Sequence, residues 1–267
     1  MKKAISMMLI WLILISLFSF TALAEPVENE ATLDDAMLDI GTTEISIQTL
    51  IDSSDKFVRD HAAEILAAYN EISKLSTIDE ANAYIDAKIA AVESSDIASV
   101  SAISDSPSSP IVATSTNTDI KAAWLAAAQV AKLAGYPCSA KLIECSVLGV
   151  NYNENVGKGG LFRDKIVTTQ PYQSCVRLFK SGKIKALEKH NVTFSKSVNS
   201  DLYYSLHTCT YSFRNSSKGY LFFVNDIFDF EKSNYDNLFT GMVNNWAWLC
   251  QNASILKKIN VNINFPI

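Results

Sequence analysis

The sequence predicts an α+β protein, with helices first and a small, mainly antiparallel sheet after them. Three observations lead there. Apolar residues recur at threes and fours from Glu44 to Val92 and again from Asp119 to Gly149, the period of a helix that buries one face. Beyond His190 the period drops to two, the alternation of strands. The 267 residues are 48% hydrophobic with nine Gly and six Pro, which excludes a disordered or fibrous chain.

Residues 1–24 read as an export signal. Lys2 and Lys3 precede an uncharged apolar run from Ala4 to Phe20, and Thr21-Ala22-Leu23-Ala24 supplies a small-x-small cleavage pattern. The expected location is secreted or extracytoplasmic; the alternative is an N-terminal membrane anchor. No later stretch is long and apolar enough to span a bilayer.

Residues 25–93 form an expected acidic helical region. Its leader runs to Gly41. Ile47, Leu50, Phe57, Val58, Ile65, Leu66 and Ile72 then mark one helical face. A second helix starts at the capping box Thr77-Ile78-Asp79-Glu80 and continues through Ala81, Ile85, Ile89 and Val92. Residues 94–118 are rich in Ser and contain Ser106-Pro107-Ser108-Ser109-Pro110, the composition of a linker.

Residues 119–267 form the expected basic α+β domain. Ile120 to Leu133 and Ala140 to Val147 make an α-hairpin, broken at Gly135-Tyr136-Pro137 and ended near Gly149. Asn151 to Gly160 reads as a polar loop, and Tyr172 to Lys189 as a helix interrupted at Gly182. Strands are expected around Val192, from Leu206 to Phe213, and from Gly219 to Phe230, the last two joined by the turn 214–218. A helix from Tyr235 to Gln251 follows. Ile259, Val261, Ile263 and Phe265 then alternate with Asn260, Asn262 and Asn264, a one-sided strand with its asparagines toward solvent.

Charge divides the chain. Residues 25–106 carry 18 acidic and 4 basic side chains, whereas residues 107–267 carry 10 acidic and 17 basic. An intramolecular contact between acidic and basic regions is one expected use of that contrast. The densest positive run is Arg177, Lys180, Lys183, Lys185 and Lys189, opposed only by Glu188. It suits an anionic partner such as an envelope polymer or lipid head groups. It lacks the interleaved aromatics that would stack on nucleic-acid bases.

Five cysteines remain, Cys138, Cys145, Cys175, Cys209 and Cys250, and no pair has Cys-x-x-Cys spacing. They read mainly as buried thiols packing like small apolar groups. The chain has no metalloprotease, nucleophile-elbow or dinucleotide fingerprint, so no cofactor or metal is implied. Gly157-Lys158-Gly159-Gly160 and Asn151 to Asn155 read as ordinary turns.

One constellation carries enzymatic chemistry. Cys175 near the start of a helix, His207 on a strand, and Asn225 or Asp226 on the next strand follow the order of papain-like amidases and peptidases. A helix N-terminus lowers a thiol pKa, His takes the proton, and an amide or carboxylate orients the imidazole. The flanking Ser174-Cys175-Val176-Arg177 lacks the small residues such a nucleophile usually has.

Two stretches carry a resemblance. Asp201-Leu202-Tyr203-Tyr204-Ser205-Leu206-His207 and Val224-Asn225-Asp226-Ile227-Phe228-Asp229-Phe230, followed by a helix and Ile255 to Val261, resemble a group of secreted proteins of Gram-positive bacteria whose activity is unknown. The D-x-[YF]-D-F element is also similar to the C-terminal parts of some bacterial toxin-like proteins. The resemblance covers about residues 119–267 and implies a secreted α+β module. No His-Arg pair follows Asp229, so it does not extend to the lipid II-cleaving bacteriocins. The leading expectation is an exported, non-enzymatic interaction module at or beyond the envelope. The alternatives are a cysteine-dependent amidase or peptidase and a toxin-like effector.

Overall fold

The computed structural model describes residues 44–101, 110–217, 219–230 and 247–267, with side chains over 44–92, 117–217, 219–230 and 247–267. The expected export signal and the expected acidic leader lie outside them. The fold is α+β, as expected, and the described residues divide into two compact units. One joins Ser46–Val150 to the described part of Lys232–Lys257; the other joins Asn151–Glu231 to Lys258–Ile267.

The first unit is helical: α1 (Ile47–Ile51), α2 (Lys56–Asp60), α3 (Ala62–Ile72), α4 (Ile78–Ser101), α5 (Pro110–Leu133) and α6 (Pro137–Leu148). One helix was expected where α1, α2 and α3 lie. The run Asp52-Ser53-Ser54-Asp55 breaks it, because these short polar side chains bond backbone groups outside a helix. Asp55 caps α2 by accepting from the Phe57 N–H at 2.9 Å. The Ser53 hydroxyl donates to the Leu148 carbonyl at 2.5 Å. The Thr77 capping box is present, with Thr77 and Glu80 exchanging bonds at 3.1 and 3.2 Å.

The expected linker over 94–118 is corrected in part. Helix α4 continues to Ser101 and α5 begins at Pro110, and residues 102–109 lie outside the described residues. Ser and Ala are tolerated in a helix, and Pro at its first position leaves no further donor unsatisfied. The expected boundary between 93 and 119 does not separate compact parts either: α4 packs on α5, and Lys88 pairs with Asp119 at 3.0 Å. Residues Lys121 to Ala131 are buried on every side, mostly alanines that let neighbouring helices approach closely. At the head of that run, the buried Lys121 ammonium bonds Asp55 at 3.0 Å and the carbonyls of Val147 and Ile255 at 2.7 Å each. All three donors are used, which is what a buried ammonium requires.

The second unit is a five-stranded sheet with helices on one face. Its elements are β1 (Tyr152–Asn155), α7 (Leu161–Ile166), α8 (Gln170–Lys180), β2 (His190–Thr193), α9 (Ser200–Ser205), β3 (Thr208–Ser216), β4 (Gly219–Phe228) and β5 (Ile259–Pro266). The strand order is β1-β5-β4-β3-β2. Only β1 runs parallel to its neighbour β5. Of the helix expected from Tyr235, residues 235–246 lie outside the description, and residues 247–252 are helical.

Register places Tyr211, Val224 and Ile263 on one face, with Phe213, Phe222 and Phe265 beside them. That face packs against α7 and α8 through Tyr172 on Phe222 and Phe162 on Tyr152. The opposite face carries amides and hydroxyls together with Leu221, Phe223 and Ile227 of β4. Asn153, Asn262, Asn225, Thr210 and Asn191 stand in register across all five strands. Asn225 donates to Asn262 at 2.6 Å and Asn262 to Asn153 at 3.0 Å. The expectation of outward asparagines on β5 holds for Asn260 and Asn262; Asn264 is buried and bonded to Asn155.

The strand β1 lies where a polar loop was expected. Asn153 and Asn155, polar on one face, hide the alternation, and the group on the other face that would reveal it is a glutamate. Glu154 is buried because its carboxylate caps α7, accepting from Phe162 N–H at 3.0 Å, Arg163 N–H at 2.8 Å and the Tyr152 hydroxyl at 2.6 Å.

Candidate functional site

The residues of the candidate cysteine site lie in surroundings that do not favour a nucleophile. Cys175 sits mid-helix in α8, buried against the sheet, and the Tyr211 hydroxyl hydrogen-bonds its sulfur. Burial nevertheless holds the thiol above its usual pKa, the opposite of what a nucleophile needs. His207 precedes β3 by one residue, with φ of 38°, its ring edge-on to Tyr203 at 4.9 Å.

The third members are also elsewhere. The expected turn over 214–218 set His207 opposite Asn225. The structure pairs Ser216 with Gly219 and Thr210 with Asn225, a shift of three residues. A two-residue connection is the favoured hairpin, and Gly219 at φ of 125° permits it here. Asn225 therefore belongs to the amide face, bonded to Asn262, while Cys175 packs on the other face. Asp226 points to the Cys175 side, yet it is buried, and burial raises its pKa well above the carboxylate range. It also raises the neighbouring Cys209 thiol, itself fully buried.

All five cysteines are free and buried, matching the reading of packed thiols. Burial pushes Cys145 up to about 12. Among the described residues, no group of three or more His, Cys, Asp or Glu is placed to hold a metal ion.

The basic run, by contrast, forms a defined surface. The helix expected from Tyr172 to Lys189 ends at Lys180, so Arg177 and Lys180 belong to α8, and Lys183, Lys185 and Lys189 to an arm leading into β2. Thr169 caps the start of α8 by accepting from the Tyr172 N–H at 3.3 Å. Gly182 ends it at φ of 73°: the Lys183 N–H reaches the Leu178 carbonyl at 3.0 Å, and the Gly182 N–H the Phe179 carbonyl at 2.9 Å. Those two bonds are the paired C-terminal closure that a left-handed glycine provides.

Beyond the glycine the arm is pinned rather than loose. Ile184 is buried, and the Glu188 carboxylate accepts from the Lys185 N–H at 2.8 Å. That bond holds Glu188 below its usual pKa. The Leu187 N–H donates to the Phe213 carbonyl at 2.8 Å. With the backbone fixed, Arg177, Lys180, Lys183, Lys185 and Lys189 all point to solvent. Sequence spacing identifies the cations but not the exposure of Leu187, which lies inside the segment expected to be one helix.

Comparison with protein-family models, with curated proteins and with solved structures finds no match. Function is therefore argued from the geometry alone. No helix among the described residues is long and apolar enough to cross a membrane.

Proposed function

We propose that the chain is a non-enzymatic interaction module, exported to act at the envelope or beyond it, that docks on an anionic surface. The arm following α8 is the docking site. One observation carries this reading: five exposed cations, Arg177, Lys180, Lys183, Lys185 and Lys189, lie within thirteen consecutive residues around a backbone held by its own hydrogen bonds. Charges clustered with one sign raise the local concentration of an opposite partner and steer its approach. The export part rests on residues 1–24, and the non-enzymatic part on the burial and raised pKa of Cys175 and on Asn225 lying on the opposite face of the sheet.

The test is retention of the full chain on an immobilised sulfated polysaccharide. The expected result is binding at low ionic strength that weakens as salt rises, since exposed charges are screened. Lys183→Gln with Lys185→Gln should then elute at lower salt than the parent chain. No retention at low salt, or coincident elution of parent and variant, contradicts the reading.

A further inference from the structure

We propose that the anionic surface is the face of a lipid bilayer, with Leu187 entering its headgroup layer between the cations. The inference rests on the docking role assigned to the arm, and names its partner.

Leu187 is 69% exposed, more than any other large apolar side chain described. Its backbone has φ of 72°, a conformation that bulky residues rarely adopt. Two pins hold it there, the buried Ile184 three residues before and its own N–H bond to Phe213. The chain therefore keeps a leucine in water in a strained conformation that Gly or Asn would occupy more easily.

Leu187 is not isolated. Phe179 stacks on Phe213 at 4.0 Å and meets the ring of Tyr220 edge-on at 4.8 Å, which gathers α8, the arm and the hairpin at one end of the sheet. Leu178, next to Phe179, is 38% exposed and Tyr220 is 44% exposed. That end thus exposes Leu178, Leu187 and Tyr220, and the exposed Arg177, Lys180, Lys183 and Lys185 belong to the same stretch of α8 and arm as the two leucines.

A soluble polyanion would engage the cations and leave Leu187 unused. An anionic bilayer uses both parts: its surface potential attracts lysines, and its interface accepts leucine and the amphipathic tyrosine ring. Stable attachment to membranes generally takes two weak signals, and a polybasic patch beside a shallow apolar insertion is such a pair.

The probes are vesicles of phosphatidylglycerol and phosphatidylcholine, vesicles of phosphatidylcholine alone, and soluble polyphosphate. Leu187→Asn suits the left-handed backbone and removes the apolar side chain. It should weaken binding to the anionic vesicles about tenfold, by losing part of a buried leucine, and leave polyphosphate binding unchanged. Lys183→Gln with Lys185→Gln should weaken vesicle binding about 25-fold, near fivefold for each cation at a charged surface, and weaken polyphosphate binding too.

Leu187→Trp in the full chain reports the position directly, whatever else touches the lipid. Its added emission should be quenched by brominated phosphatidylglycerol and not by brominated phosphatidylcholine. Polyphosphate binding with no quenching, or vesicle binding indifferent to Leu187→Asn, overturns the lipid assignment and leaves the docking arm standing. Failure to bind either polyanion or anionic vesicles overturns both.

Discussion

Asp226 shows how much a single side chain can hide from sequence reasoning. As half of a D-x-[YF]-D-F element it invites a catalytic reading; in the structure it faces the packed side of the sheet. Its carboxylate accepts from the Ile227 N–H at 2.9 Å, and burial together with the nearby Asp229 charge raises its pKa. A raised pKa means the folded state favours the proton. The stability this group supplies is complete below the ordinary carboxylate range and is lost as pH rises through the shifted value. Asp226→Asn keeps the acceptor oxygen and removes the charge. Thermal unfolding should therefore show it more stable than the parent chain at neutral pH, and nearly equal at pH near 4. A variant less stable than the parent at neutral pH would mean the buried charge has a partner worth more than its desolvation. The five buried thiols were legible from residue type, because free cysteine packs like a small apolar group. Glu154 and Lys121 were not, since nothing local in the sequence indicates which charged side chains find complete sets of buried partners.

At the scale of elements, long periodic segments were readable and short polar ones were not. The cores of α4, α5, α6, β3, β4 and β5 follow from spacing alone. The missed elements β1, α7 and α9 span four to six residues each, too short for a period to declare itself. The hairpin register was missed by three residues for a different reason: a polar run of five can turn anywhere, and backbone twist selects the two-residue connection. That register builds the amide row across all five strands. Asn262 stands at its hinge, accepting from Asn225 and donating to Asn153. Asn262→Ala removes both bonds and should lower stability by about 1–2 kcal/mol in urea unfolding, on the usual scale of a net hydrogen bond. Asn260→Ala, on the same strand with an exposed side chain, should change it by no more than about 0.5 kcal/mol. Equal effects at the two positions would mean the row is decoration rather than support.

For the whole molecule, the fold class was legible and the partition was not. Composition placed a boundary in the Ser/Pro stretch. Long-range packing instead joins Ser46–Val150 into one unit, because α4 and α5 bury their apolar faces on each other across that stretch. Charge contrast survives the corrected division. Ser46–Val150 carries 13 acidic and 7 basic side chains, and Asn151–Glu231 carries 7 and 11. The positive excess concentrates in the arm after α8, where a strained leucine stands among lysines. That concentration, rather than the cysteine–histidine order, is the feature on which the proposed function rests. Hydrogen–deuterium exchange of the full chain with and without phosphatidylglycerol vesicles tests the claim most directly. The account predicts slowed exchange in the peptides spanning residues 177–189 when anionic vesicles are present, reversed by added salt. Unchanged exchange across those residues while other segments become protected would contradict it.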